Sequence, residues 1–127
     1  MSFDNYSWPK DFPSNVPPND ATDADGIAFR LVKNNPPSDL DFVGHNKEPH
    51  KKKSQNLKPA DYGTSMFRDI SNVEFARNSF KAQRNKKIAE GKLVPLHGKI
   101  SKVNHNNHFE AWLREDTGIE NCFTVVK

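Results

Sequence analysis

Cysteine is almost missing from this chain: Cys122 stands alone among 127 residues, so no disulfide can form within it. Long apolar runs are missing as well. None approaches the roughly 18 residues that span a bilayer, and "MSFDNYSWPKDF" has neither the cationic start nor the apolar stretch of a signal peptide. The expectation is a reducing, cytoplasmic compartment and no membrane partner. Apolar residues are scarce at 34%, with a mean hydropathy of −0.88, which implies a small core and some chain running as extended surface. No P-loop or Rossmann glycine pattern occurs, and Ser65 lacks the G-x-S-x-G surroundings of a hydrolase elbow.

The net charge of +3 is too slight to announce a nucleic-acid binder, but the charges are segregated. Residues 1–29 hold Lys10 against five aspartates, and residues 77–92 hold six lysines and arginines against Glu90. The length suits one domain, expected as an extended Pro-rich N-terminal arm over residues 1–25 and a single α+β domain over 26–127. Pro9, Pro13, Pro17 and Pro18 fix φ and remove donors along the arm. Its Trp8, Phe12 and Val16 either pack along the parent domain or dock in a partner's aromatic groove.

"GIAFRLV" (26–32) reads as a strand with apolar residues on both faces, hence an interior one. Arg30 on a covered face then calls for an acidic or anionic partner. Residues 33–60 show little periodicity and read as a surface loop carrying Lys51, Lys52 and Lys53. Ser71 with Glu74 three residues later reads as a capping box, so a helix is expected from about Asn72. Val73, Ala76 and Phe80 follow at helical spacing, Ile88 continues the row, and Gly91 offers a stop. One long helix or two short ones fit the polar gap at 83–87. "GKISKV", "HFEAWLR" and "CFTVV" read as strands, with "NHNN" as a hairpin loop and Cys122 as a buried strand residue. The fold class expected is α+β: a mainly antiparallel sheet of about four to six strands packed against a central helix, with the arm across it.

Arg77, Lys81, Arg84, Lys86 and Lys87, together with Lys51, Lys52 and Lys53, form a basic set suited to nucleic acid or to an acidic protein surface. The alternative for the same residues is a solvated helix face. A third reading is an interaction module with an exposed apolar patch around Trp8, Trp112 and Phe123. His105 and His108 lie three apart, with His45, His50 and His97 elsewhere, but no second close pair completes a metal site, so no metal is expected.

The stretch "DYGTSMFRD" (61–69) sets small residues inside a short strand: a bend or bulge at Asp61 and Gly63, or a close approach for a ligand. Arg30 in "AFRLV", Ser65 in "YGTSMF" and Glu110 in "HFEAW" resemble, in that order, one class of the ADP-ribosyltransferase-like fold. There an arginine and a serine segment hold NAD and a glutamate steers the ribose. His108 stands two residues before Glu110, where that class has a second glutamate. The resemblance implies Glu110 and Ser65 as catalytic residues and Arg30, Gly63, Thr64 and His108 as ligand-binding ones. NAD is a cofactor under this reading only; otherwise none is expected. The segments "SWPKDFPSNVPPNDA", "FRLVKNNPP", "GTSMFRD" and "KKIAEGKLVPLHGKI" look like those of short, stand-alone bacterial or phage proteins of unassigned function, which implies no activity.

Overall fold

Apolar residues on both sides of "GIAFRLV" make β2 (Gly26–Val32) an interior strand in the computed structural model of the chain, which describes residues 5–47 and 57–127. The other strands are β1 (Thr22–Asp23), β3 (Thr64–Phe67), β4 (Lys87–Leu93), β5 (Gly98–Ile100), β6 (His108–Leu113) and β7 (Phe123–Val125). They form one curled antiparallel sheet in the order β1-β5-β6-β3-β2-β4-β7. A single α-helix among the described residues, α1 (Ile70–Ser79), completes a mixed α+β fold that is mostly sheet.

Because successive strand side chains point to opposite faces, the sheet buries two apolar clusters. Ala28, Val32, Met66, Ala89, Leu93, Phe109 and Ala111 line the inner face of the curl, and Phe42 and Ile119 from short 3-10 turns close it. The outer face carries Phe29 and Ile88, which with half-buried Leu31 and Phe67 receive Val73 and Ile70 of α1. Each large apolar side chain withdrawn from water contributes about 1.5–3 kcal/mol. The clusters therefore hold the helix and the sheet in fixed register.

The helix starts at Ile70, and its cap is Asp69, whose carboxylate accepts the Ser71 N–H at 2.8 Å. Aspartate is as good an N-cap as serine and lies earlier in the chain, while Glu74, the expected partner in the box, accepts from Lys127 Nζ at 2.9 Å. The helix ends at Ser79, and the row does not continue through Ile88. Residues 87–93 are β4, paired with β2 along its full length, from Gly26 opposite Leu93 to Val32 opposite Lys87. Ala89, Gly91 and Leu93 face the inner core and Ile88 the outer one, which satisfies both faces better than a helix with a single apolar stripe. Seven strands form among the described residues rather than four to six, because β4 stands where the helical row was expected and β1 is only two residues long. Cys122 is exposed at the end of the 3-10 turn Ile119–Cys122.

The three tail strands form but are shorter than expected, GKISKV stopping at Ile100, and Asn107 in the β5–β6 loop adopts φ 60°, a conformation asparagine tolerates. Before β1, residues 9–21 make successive turns closed by the carbonyls of Pro9, Pro13 and Pro18.

Candidate functional site

β2 and β3 pair only where Phe29 faces Phe67, and beyond that point a guanidinium takes over from the backbone ladder. Arg30 is 7% exposed; its Nε donates to the Asp41 carbonyl at 2.6 Å and its Nη1 to the Ser65 carbonyl at 2.7 Å. Where the sequence calls for an acidic or anionic partner, these two acceptors are backbone oxygens. Asp41 is held in turn. Its carboxylate accepts the backbone N–H of Lys33 at 2.8 Å and of Ser38 at 2.9 Å, and the Asn34 amide at 3.1 Å. Burial raises the Asp41 carboxyl, but these donors together outweigh it and hold the group below the usual carboxylate value. The segment after β2 is thereby locked so that its carbonyl meets Arg30.

Between the separated strands and α1 with the following turn lies a cavity of about 420 Å³. Its polar lining is Arg30, His45, Ser65, Gln83, Lys86 and His108, and its apolar lining is Leu31, Phe67, Ala76, Phe80 and Ala82. No carboxylate lines it among the described residues. Such a volume falls in the range of small-molecule sites.

Glu110, behind the wall, links three of its polar residues in one chain. Ser65 and Glu110 face each other across β3 and β6, so their side chains share a face with His108, two residues from Glu110. Ser65 Oγ lies 2.6 Å from His108 Nε2, and that nitrogen lies 3.6 Å from Glu110 Oε1. Both Glu110 oxygens lie 3.0 Å from His45 Nε2. An ionised carboxylate only accepts, so His45 Nε2–H donates. The Phe67 ring meets the His108 ring edge-on with centroids 5.2 Å apart, which restricts the imidazole plane.

Gly63 answers the question raised by "DYGTSMFRD". Its φ of −84° is open to any residue, so no left-handed turn requires glycine. A Cβ there would stand 2.7 Å from Glu110 Oε2 and 2.9 Å from Glu110 Cβ. The close approach is made by Glu110 and not at the cavity surface. Thr64 is 2% exposed and donates Oγ1 to the Val43 carbonyl at 3.1 Å, so neither Gly63 nor Thr64 lines the cavity.

The basic set does not form one helix face. Arg77 alone lies on α1, donating to the carbonyls of Lys86 and Lys127 at 3.3 Å. Lys81 lies in the next turn, Arg84 donates to the Asn78 carbonyl at 3.4 Å, and Lys87 opens β4, reaching the Lys33 carbonyl at 3.4 Å. Lys86 lines the cavity. Lys51, Lys52, Lys53 and His50 lie outside the described residues. Trp112 and Phe123 are each 3% exposed and Trp8 is half-buried with Arg114 over its ring; among the described residues the exposed aromatics are Phe75 and Phe80.

Among the described residues no group of three His, Cys, Asp or Glu is arranged to hold a metal, and no helix is long and apolar enough to cross a membrane. Sequence reasoning named Arg30, Ser65, His108 and Glu110, which the fold brings together, but not the parts of His45, Phe80 and Gln83. His45 lies 65 residues from Glu110, a proximity that no local pattern carries. Comparison with protein-family models, curated proteins and solved structures finds no match.

Proposed function

We propose that the protein binds a small molecule with an acidic group and an apolar body, seated in the cavity between α1 and the sheet. One observation carries this reading: Arg30, His45, Ser65, Lys86 and His108, drawn from five separate segments, converge on one lining together with Phe67 and Phe80. Cationic and hydroxyl groups supply orientation for an anion, and the aromatic and aliphatic wall supplies affinity. Anilinonaphthalene sulfonate, a flat aromatic anion, is a direct probe. Its fluorescence titration is expected to show one saturable site per chain. Phe80→Ala is expected to weaken it about 5-fold, the order of a lost aromatic contact, and Lys86→Glu to weaken it further by opposing the sulfonate. Absent binding, or binding indifferent to both substitutions, refutes the reading.

The NAD-using transferase reading is favoured by Ser65 and Glu110 facing each other across β3 and β6, with Arg30 bonded to the Ser65 carbonyl. The same titration with NAD separates the two: a chain that binds the sulfonate but not NAD is a carrier or enzyme for other acids.

A further inference from the structure

The cavity wall holds the parts of a nucleophilic site, although the surrounding sequence has no hydrolase motif. We propose that Ser65 is a nucleophile, that His108 is its base, and that the substrate is a carboxylic ester bearing a second, acidic group. The proposal rests on the ligand reading above and adds chemistry to it.

Ser65 sits inside β3, whose four residues pair with β6 from Thr64 opposite Ala111 to Phe67 opposite His108, so nucleophile and base stand on adjacent rigid strands. The Ser65 Oγ to His108 Nε2 separation of 2.6 Å allows the hydroxyl proton to pass to a neutral imidazole. Both residues line the cavity, so a bound ligand meets the hydroxyl directly. Glu110 Oε1, 3.6 Å from the same nitrogen, sets a negative charge beside the ring and stabilises the imidazolium that forms. His45 holds that carboxylate through both oxygens, and the room left by Gly63 lets it stand there. Glu110 and His45 are therefore positioning residues in this scheme.

In the first step Oγ attacks the ester carbonyl carbon as its proton passes to His108 Nε2. The carbon–alcohol bond then breaks and the departing alcohol takes the proton from His108. In the second step water attacks the acyl carbon, gives a proton to His108, and Ser65 Oγ leaves with that proton. Ester and water yield acid and alcohol, with the protein unchanged. Arg30 and Lys86, cations on the same lining, favour an acidic substrate over a neutral one.

The test incubates the full chain with diisopropyl fluorophosphate and follows the adduct by intact mass and peptide mapping. One adduct on Ser65 is expected, absent in Ser65→Ala and formed at least about 100-fold more slowly in His108→Gln, the order of a lost general base. Hydrolysis of p-nitrophenyl hemisuccinate is expected to exceed that of p-nitrophenyl acetate about 10-fold, the order of one added charged contact. No adduct, an adduct elsewhere, or equal labelling of His108→Gln overturns the nucleophile. Equal rates on the two esters overturn the substrate class. Sulfonate binding by the same preparations separates the two readings: binding retained without labelling leaves the ligand site standing and removes the chemistry, and loss of both removes both. Circular dichroism of Ser65→Ala and His108→Gln, expected to match the parent, keeps misfolding from imitating either result.

Discussion

Replacing Arg30 by Met keeps the length and apolar stem of the side chain and deletes the guanidinium, so the result isolates what that group does between β2 and β3. Two carbonyls, the buried one of Asp41 and the half-buried one of Ser65, lose donors now at 2.6 and 2.7 Å. Each buried acceptor left unsatisfied costs about 1–3 kcal/mol, and the guanidinium over the Phe42 ring at 6.0 Å adds about 0.5 kcal/mol. Removing a buried charge recovers part of this through desolvation, so the net loss is set at about 2–5 kcal/mol. Against a total stability of about 5–15 kcal/mol that is a large fraction. In urea, with a slope of about 1–3 kcal/mol per molar, the unfolding midpoint should fall by about 1–2 M. Arg30→Lys, which keeps the charge but not the planar fork, should fall in between. A midpoint shift below about 0.3 M for Arg30→Met refutes the reasoning, because it means that the strands close over the gap or that water replaces the donors at no net cost.

Gly63→Ala should destabilise by about 1–3 kcal/mol, the usual penalty of overpacking, because its Cβ meets Glu110 at 2.7 and 2.9 Å. Glu110→Gly removes both contacts, so the same substitution in that background should cost little; an equal cost in both backgrounds, measured in urea, would place the conflict elsewhere. His97 is buried, and burial holds its ring below the ordinary value of 6.5. The unfolded chain then takes up the proton first as pH falls, so this contribution is complete above about pH 6.5 and is lost as pH falls through the folded value. Urea midpoints measured from pH 7.5 downward should decline less steeply for His97→Gln than for the parent; parallel declines would exclude this histidine as the cause.

Much of the fold was legible where short-range pattern and burial agree. Apolar residues on both faces of "GIAFRLV" marked β2 as interior, and the spacing of "GKISKV", "HFEAWLR" and "CFTVV" marked the tail strands. The pattern failed at 87–93, because Ile88 extends a helical row and a strand alternation equally well, and only the pairing with β2 decides between them. The cap moved from Ser71 to Asp69 for a similar reason: the chain offered two acceptors, and Glu74 was engaged by Lys127, 53 residues away. At the cavity, residue types drew attention to Arg30, Ser65 and His108, and behind its wall to Glu110. The need for glycine at 63 was visible only once Glu110 stood beside it on the neighbouring strand.

The sheet ends at both margins in very short strands, two residues in β1 and three in β7, with Lys99 clasping Asp23 at 3.2 Å on one border. Borders this brief leave few backbone groups for an incoming chain to zip onto, a known guard against ribbon-like aggregation. An incoming strand would therefore find little ladder to extend at either of these two margins.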